Sequence, residues 1–349
     1  MYGIRAANGV ILVTTKRGGT QATKIELNST FSWQRPTIYP ELCNAAQFVE
    51  LTDEDLVNRG KQPTYGRENL EKWRAGGEGY ESTDWYDEVV RPWAPQQQYN
   101  LNVRGGTEKA SYFASLGYLN ESGMWRTNSS NFQRFNFRSN LDFTITKDFK
   151  ASLQLAAQVE NVRTPGSGNS TIWREISWAN PLSSPGLIDG KVVRLQDVLG
   201  EQNPYGMLLG NGYDADSKNN VNTTLRMDYD LSRWLLKGLS VHGSISFDSY
   251  YYSRKSFRKS IHYYTPERDA SVEGGVVFIP KEEETVWGAS SSYGKNRKIY
   301  AEVGLHYDQT FGKHHTTGLL LYNQSKYYSP SLQYLAVSYT HLTLPTIYS

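Results

Sequence analysis

The stretch that decides the fold runs from residue 133 to residue 159 and reads QRFNFRSNLDFTITKDFKASLQLAAQV. Up to residue 145 its odd positions are mostly apolar: Phe135, Phe137, Ser139, Leu141, Phe143, Ile145. Its even positions are polar or charged: Arg134, Asn136, Arg138, Asn140, Asp142, Thr144. After Thr146-Lys147-Asp148 the same alternation resumes from residue 149. A period of two predicts strands with one apolar and one polar face, here joined by a short turn.

The same alternation recurs along the rest of the chain. It is clear at residues 220–231, 239–248 and 299–308, and weaker at four further segments: 25–34, 99–104, 111–120, 316–325. These segments predict about nine strands, each near the roughly ten residues that a tilted strand needs to cross a bilayer.

The connections between these strands alternate in length. Short turns are expected near four places: residues 105–108, 146–148, 234–238, 310–314. Long segments are expected between them: residues 36–95, 121–131, 161–219, 254–298. Outer-membrane barrels combine tight periplasmic turns with long outer loops, whereas compact soluble domains seldom contain several connections this long. The pattern predicts an all-β fold, a partial antiparallel transmembrane β-barrel whose outer loops bear short helices. The tyrosine runs at residues 250–252 and 327–328 are expected in an interfacial girdle.

Composition excludes several other classes of protein. The chain has 349 residues, a net charge of +2, one cysteine, and 25 Tyr, 12 Phe and 9 Trp. The charge balance argues against a nucleic-acid partner, and a single cysteine excludes a disulfide scaffold. A chain this rich in aromatic residues is not expected to be disordered. It contains no apolar run of 18 residues, which excludes a membrane-spanning helix.

Residues 2–18 read YGIRAANGVILVTTKRG. The Asn-Gly pair suits a tight turn and the apolar run after it suits a strand, so by itself the segment is compatible with an ordinary hairpin. It resembles the end of the plug domain in SusC/RagA-type TonB-dependent transporters. The matching plug-signature residues are Tyr2, Gly3, Arg5, Ala6, Ala7, Asn8 and Gly9, followed by Val10, Ile11, Thr14, Thr15 and Lys16. Residues 82–123 also resemble the start of that family's barrel.

The resemblance implies a domain organisation. Residues 1–18 would be the C-terminal remnant of the plug, and residues 19–336 the N-terminal portion of a barrel that has 22 strands in the family. Residues 337–349 contain VSYTHLTLPT, which looks like a translated sequencing adaptor, and we expect them to be a non-native tail. Because Met1 does not open a signal peptide, we expect a chain truncated at both ends.

The resemblance also implies a function. The chain would be a fragment of a TonB-dependent transporter in the outer membrane of a Gram-negative, Bacteroidetes-like bacterium, importing glycans or peptides and having no enzymatic activity. A SusD-like surface lipoprotein would cap the barrel, TonB would act through the missing N-terminal region, and lipid would surround the wall. The alternative is a soluble or surface-attached β-rich glycan-binding module. A secreted enzyme is a third class, but it needs a catalytic cluster that the sequence does not assemble. The first two differ in one respect: the odd positions form an outer apolar belt in a transporter and a closed core in a binding module.

Candidate site residues fall into three groups. Four charged residues on the even positions are candidates for the barrel lumen: Arg134, Arg138, Asp142, Arg226. Three aromatics in the long segments are candidates for ligand contact, although stapling of the loops is the favoured explanation: Trp173, Trp178, Tyr213. No catalytic residue, metal site or cofactor is expected, apart from a weak calcium-loop resemblance at Asp214 and Asp216.

In the first long segment Asn44 is a candidate helix N-cap, and a second helical stretch is expected at residues 67–75. The acidic residues 53–55 are expected to be a solvated face.

Overall fold

The computed structural model describes residues 16–38, 40–77, 79–182, 187–194, 203–268, 276–282 and 287–336. Five helices and fourteen strands are assigned within these residues. In chain order they are β1 (Lys24–Gln34), α1 (Ala45–Asn58), α2 (Gly66–Ala75), α3 (Trp85–Val89), β2 (Ala94–Gly106), β3 (Ala110–Ser122), β4 (Asn131–Thr144), β5 (Phe149–Pro165), α4 (Asn169–Trp178), β6 (Leu187–Ile188), β7 (Lys191–Val192), α5 (Pro204–Gly210), β8 (Tyr213–Asp230), β9 (Leu239–Arg258), β10 (His262–Arg268), β11 (Val276–Glu282), β12 (Gly288–Phe311), β13 (His314–Tyr328) and β14 (Ser331–Ala336). None of the helices in this part of the chain is long and apolar enough to cross a membrane.

One antiparallel sheet forms the body of the molecule. Its strand order is β1-β2-β3-β4-β5-β8-β9-β12-β13, so each strand pairs with its neighbours in the order of the chain, and β14 pairs with the first part of β12. All nine predicted strands are present, which confirms the all-β prediction. The tenth strand, β14, was not predicted. The pairs β6–β7 and β10–β11 form two small separate sheets within the long connections.

Three strands are much longer than predicted. β8, β9 and β12 contain 18, 20 and 24 residues, so the long segments predicted at residues 161–219 and 254–298 are shorter in the structure. Most of the added residues are polar, so the apolar alternation used to recognise a strand is interrupted there. Ion pairs between neighbouring strands accompany the pairing here: Arg254 lies 2.6 Å from Asp216, and Arg258 lies 2.9 Å from Asp214.

The strand register sorts side chains onto two faces, because residues directly opposite in antiparallel strands share a face. One row of direct partners on the first face is mostly apolar: Leu27, Leu101, Leu116, Phe137, Ala157, Val221. A row on the second face is mostly polar: Asn102, Ser115, Arg138, Ala156, Asn222, Asp248, Lys298. We call these the apolar face and the polar face.

Large side chains on the apolar face remain exposed. Leu27 is 70% exposed, Ile245 is 57% exposed and Phe135 is 46% exposed. The odd positions of β4 and β5 are therefore not sealed in a closed core, which agrees with the transporter expectation and disagrees with a soluble binding module.

The apolar face has an aromatic boundary toward the long connections. Tyr118 lies 4.8 Å from Phe135 and 6.3 Å from Tyr99, measured between ring centroids, and Tyr251 stacks on Tyr293 at 6.4 Å. Beyond this boundary the same face becomes polar, as at Asn131, Arg163 and Lys255. Within the run at residues 250–252, only the middle tyrosine lies on the apolar face, because neighbouring strand residues point to opposite faces.

The apolar band has the height of a bilayer core. On β9 it extends from Val241 to Tyr251, ten positions that span roughly 33 Å along the strand at about 3.3 Å each. With the tilt of about 45° common in such barrels, that length becomes roughly 23 Å, close to the typical apolar band of about 25 Å.

The helices lie in the long connections. Asn44 caps α1, since its side chain accepts a hydrogen bond from Gln47 N and the Gln47 side chain accepts one from Asn44 N, which confirms the predicted N-cap. The second predicted helix is α2. The expectation that residues 53–55 form a solvated acidic face is wrong for Asp53. Its carboxylate accepts hydrogen bonds from the backbone N–H groups of Thr64, Tyr65 and Gly66 at 2.7–3.0 Å.

Candidate functional site

The polar face gathers the charged residues singled out in the sequence. Arg134, Arg138 and Asp142 alternate with apolar residues on β4. Asp142 lies directly opposite Ser152 on β5, and Ser152 lies directly opposite Arg226 on β8. The four residues therefore share one face of the sheet. Their assignment to a lumen stays a prediction at this point.

A connected group of ionisable side chains lies toward the short-turn end of the polar face. Arg226 forms an ion pair with Asp228 at 2.7 Å, and His242 Nε2 lies 3.2 Å from Glu302 Oε1. The Tyr300 hydroxyl donates a hydrogen bond to the other Glu302 oxygen. The His242 ring packs directly over Gly304, where a Cβ would lie 2.3 Å from Cε1 of the imidazole. This close approach needs glycine, so backbone and side chains together fix the position of the ring.

The long-loop end of the polar face carries a second charged group. Asp216 accepts two hydrogen bonds from Arg254, both at 2.6 Å, and Asp214 accepts two from Arg258 at 2.9 and 3.0 Å. From the sequence, these aspartates are expected in a loop with a faint calcium resemblance. They lie instead in β8, with arginines as partners. No group of three His, Cys, Asp or Glu side chains suited to a metal ion occurs among the residues that the structure describes.

The segment that precedes β1 lies against the polar face. The Asn140 side chain donates a hydrogen bond to the carbonyl oxygen of Lys16 at 2.7 Å, and Arg17 forms an ion pair with Asp142 at 3.2 Å. Gly18 rests on the backbone of β3, where a Cβ would lie 2.4 Å from Tyr112 N. We call residues 16–21, with these contacts, the junction.

The junction continues into the first strand through two more hydrogen bonds. Gly106 N donates to Gln21 O at 3.1 Å, and the hydroxyls of Thr23 and Tyr112 are 2.5 Å apart. The chain therefore approaches β1 along the polar face and the short-turn end of β2–β4.

The long connections pack together into one apolar core, which we call the loop cluster. Its buried members come from four separate connections: Trp85, Val89, Val90, Trp125, Ile172, Ile176, Met207, Leu208, Ile261, Tyr263. Trp85 is 1% exposed, and Ile172, Ile176 and Tyr263 are each 0% exposed. Since no single connection supplies the core, each loop holds the others in place.

Two of the three candidate ligand-contact aromatics lie at or near this cluster. Trp173 packs against it, with ring centroids 4.8 Å from Trp125 and 6.0 Å from Tyr86, which agrees with the stapling alternative. Trp178 is 48% exposed and lies under the Arg174 guanidinium at 5.0 Å. It lines a groove of about 620 Å³, together with Phe48 and Tyr86. Trp178, which lines this groove, is therefore better placed for contact with a ligand than Trp173.

Tyr213 is not a loop residue. It is the first residue of β8, its ring lies 5.8 Å from Phe257, and the Arg163 guanidinium lies 4.5 Å from the ring centroid. Its direct partners, Pro165 and Phe257, place it on the apolar face of the sheet, above the aromatic boundary. Tyr213 is therefore part of the sheet and packs against Phe257 on its apolar face.

The alternation in the sequence does not predict the junction or the loop cluster, and some of the predicted features lie outside the described residues. The junction and the loop cluster both depend on pairings between distant residues, so the period of a strand carries no signal for them. The matching plug-signature residues 2–15 and the tail 337–349 fall outside the described residues.

The architecture defines a class of protein: an outer-membrane-type β-barrel wall with an apolar outer band, a polar inner face and packed outer loops. Comparison with protein-family models finds no match. The TonB-dependent receptor P26 of Formosa agariphila is 30% identical over 158 residues, which cover 44% of this chain and 15% of that receptor. The TonB-dependent receptor SusC of Bacteroides thetaiotaomicron is 29% identical over 142 residues, covering 40% of this chain and 12% of that receptor.

A solved structure shares the fold over nearly the whole chain. The RagAB peptide importer in its closed-closed state aligns with a TM-score of 0.67 and 16% identity, covering 96% of this chain and 42% of the importer chain. The chain is similar in sequence to part of these TonB-dependent receptors and shares the fold of the RagAB importer, and the matched region spans less than half the length of each of these relatives. The relatives compared carry the names of receptors and an importer rather than enzymes.

Proposed function

We propose that this chain supplies the end of the plug and the first part of the barrel wall of an energy-coupled importer in the outer membrane of a Gram-negative bacterium. Residues 1–18 belong to the plug, residues 19–336 to the barrel, and residues 337–349 to a non-native tail. The exposed apolar band contacts lipid, and the polar face lines the lumen. The transporter takes up glycans or peptides and has no catalytic site.

The observation that carries this proposal is the position of the junction. Lys16 and Arg17 end the segment that resembles a plug, and they contact Asn140 and Asp142 on the polar face. A segment that leaves a plug inside the barrel and enters the first strand is expected to contact the lumen face in this way. The exposed pair Arg17–Asp142 is worth no more than about 1 kcal/mol, so contacts of this kind can be rearranged by mechanical work.

Arg134 and Arg138 extend the same surface toward the long loops. Arg134 Nε is buried without a hydrogen-bond partner among the described residues. Arg138 and Lys16 line one concavity of about 420 Å³. In the proposed transporter these cations bind acceptor groups of the plug.

The proposed partners follow from the relatives. SusC and the RagAB importer support a SusD-like lipoprotein over the loop cluster and TonB acting on the plug from the periplasm. The name of the RagAB peptide importer supports peptides as cargo, and glycans stay the alternative that the sequence resemblance implies. No cofactor is proposed, and calcium in an outer loop has no support beyond the weak sequence resemblance.

Uptake measurements in cells test the proposal. Cells that produce the complete transporter are supplied with fluorescent peptide and oligosaccharide mixtures, with and without a proton uncoupler and with and without TonB. We expect uptake of one cargo class, lost on uncoupling and in the TonB deletion. Uptake that persists unchanged without TonB, or no transporter-dependent uptake of either class, would contradict the function.

The junction supplies a matched pair of variants. Gly18→Ala introduces a Cβ 2.4 Å from Tyr112 N, whereas a Cβ at Gly19 has nothing within 4 Å. Overpacking of this kind costs about 1–3 kcal/mol. We expect Gly18→Ala to loosen the plug and leave the barrel folded, with increased hydrogen exchange in residues 16–21, and Gly19→Ala to behave as wild type. Equal hydrogen exchange in the two variants would show that the Gly18 contact does not hold the plug in place.

A second pair addresses the lumen cations. Neutralising Arg134 and Arg138 together, as Arg134→Gln and Arg138→Gln, should reduce plug retention and uptake. Unchanged plug retention and uptake would exclude that role for the two arginines.

A further inference from the structure

The four short turns of the sheet differ in one respect. Three have charged or small polar tips: residues 107–109 (Thr-Glu-Lys), 146–148 (Thr-Lys-Asp) and 312–313 (Gly-Lys). The fourth, residues 231–238 between β8 and β9, carries Trp234-Leu235-Leu236 at its tip. These three side chains are 70%, 73% and 51% exposed. Three consecutive large apolar residues at a turn tip are costly in water and call for a partner.

The turn is built to hold these side chains outward. Leu231 N donates to Leu239 O at 2.8 Å, and both Trp234 N and Leu235 N donate to Leu231 O at 3.0 and 2.9 Å. The Ser232 hydroxyl accepts a hydrogen bond from Gly238 N at 3.1 Å, and Asp230 accepts one from Ser232 N at 2.8 Å. These hydrogen bonds therefore fix the conformation of the turn at the end of β8 and β9.

The neighbouring strand end also fixes the turn. Asp308 N donates to Gly238 O at 2.8 Å, and a Cβ on Gly238 would lie 2.3 Å from Asp308 O. Gly238 has a φ of +84°, which also favours glycine. The β8–β9 turn is locked against β12, so its exposed side chains do not result from a loose loop.

The apolar face reaches this turn without a polar interval. One row of direct partners near the turn runs through Phe149, Tyr229, Val241, Leu305 and Leu320, and the next runs through Leu239 and Tyr307. Two residues beside neighbouring turns are also apolar and exposed, Ile145 at 57% and Phe311 at 56%. The Trp-Leu-Leu tip thus continues the surface that contacts lipid.

Charge at the turn fits the headgroup region of a bilayer. Arg233 and Lys237 flank the apolar tip on either side, and the Arg233 guanidinium lies 5.7 Å from the Trp234 ring centroid. Tryptophan is enriched at membrane interfaces, and long cationic side chains extend from apolar surfaces toward phosphate groups.

We propose that Trp234, Leu235 and Leu236 insert into the boundary between headgroups and acyl chains of the phospholipid leaflet on the short-turn side, with Arg233 and Lys237 binding lipid phosphates. The β8–β9 turn is then an interfacial anchor that fixes the depth of this part of the wall. The inference rests on the barrel assignment and is independent of cargo and energy coupling.

Fluorescent labelling of the complete barrel in vesicles tests the anchor. In a cysteine-free background that includes Cys43→Ser, Leu235→Cys is labelled with an environment-sensitive fluorophore, and Lys147→Cys in the polar turn provides the matched control. The vesicles contain phosphatidylethanolamine and phosphatidylglycerol, with spin labels on the headgroup or high on the acyl chain. Iodide is present on both sides of the membrane. Gel mobility before and after heating establishes that both variants are folded.

We expect the label at position 235 to emit at shorter wavelength than the label at 147, to be quenched strongly by lipid spin labels and to be protected from iodide. Equal iodide quenching at the two positions would overturn the proposal, because the tip would then be in water. A blue-shifted label that lipid spin labels do not quench would also overturn it, because the cover would then be protein, such as the plug. Neither result depends on transport, so failure of the anchor and failure of the proposed function are distinguishable.

Discussion

The sheet and the loop cluster contain similar apolar residues but treat them in opposite ways. On the sheet, Ile245 and Leu27 are 57% and 70% exposed, whereas in the loop cluster Ile172 and Ile176 are each 0% exposed. The sheet turns its polar side chains to the opposite face, and the loops enclose their apolar side chains in a shared core. One chain therefore follows two burial rules.

The difference identifies the surroundings of each part. A packed core surrounded by polar residues is the rule for a structure in water, because burial of apolar surface contributes about 25 cal/mol per Å². In lipid the outer surface gains nothing from being polar, and paired strands satisfy the backbone hydrogen bonds. The loop cluster is thus organised for water and the apolar face for a bilayer, with the aromatic boundary between them.

Charges placed on the apolar face should have the largest effect. Leu153 and Ile245 lie on this face, each directly opposite Leu225 in the register. Arginine near the bilayer midplane of such barrels costs about 2–4 kcal/mol per residue. We expect the double variant Leu153→Arg, Ile245→Arg in the complete barrel to fold into vesicles with a strongly reduced yield, measured by the heat-dependent shift in gel mobility.

Gln154→Arg provides the control, because Gln154 is the neighbouring residue on the polar face, opposite Asn140 and Thr224. It should fold with nearly wild-type yield. If the sheet faced water on both sides, arginine at the half-exposed Ile245 would change the free energy of unfolding by no more than about ±0.5 kcal/mol, as surface substitutions usually do. Equal yields for the two charge-bearing variants would therefore disprove the lipid-facing assignment.

A cavity in the loop cluster should have an effect confined to the loops. Ile172→Ala removes buried side-chain volume from a fully enclosed position, and such truncations cost about 2–5 kcal/mol. Since four connections share this core, we expect faster hydrogen exchange and proteolysis in all of them at once, around α3, Trp125 and β10 as well as α4 and α5. The exchange rates of β4 and β5 should stay the same.

Ile172→Val is the matched control for this variant. It removes a single methylene and should cost about 0.5–1.5 kcal/mol. Faster exchange limited to α4, with the other connections unaffected, would show that the loops fold separately and that the shared core contributes little.

How far the sequence predicts this structure depends on the kind of signal. The period of two predicted all nine consecutive strands of the sheet, because a wall between lipid and water imposes alternation on every strand that crosses it. It began too late on β8, where Ser217 and Asn219 interrupt the apolar series of odd positions. Those residues lie above the apolar band, where both faces are wet and ion pairs such as Arg254–Asp216 accompany the ladder.

The candidate site was predictable only in part. The alternation correctly grouped Arg134, Arg138, Asp142 and Arg226 on one face. It gave no indication that Arg17 pairs with Asp142 across 125 positions, because that contact depends on the return of the chain to the sheet. Tyr213 was misplaced for the same reason that β8 was shortened.

The smallest expected effect separates local order within the loops from the shared core. Asp53 on α1 accepts three backbone N–H groups at the start of α2, so one carboxylate orients two helices. Loss of a side-chain cap costs about 0.5–2 kcal/mol. We expect Asp53→Ala to raise hydrogen exchange at residues 64–66 alone. Glu54→Ala alters the exposed neighbour and should leave the exchange rates at these residues unchanged. Spread of the effect to α4 or α5 would mean that the two-helix unit is coupled to the loop cluster, and the contrast between a shared core and local capping would no longer hold.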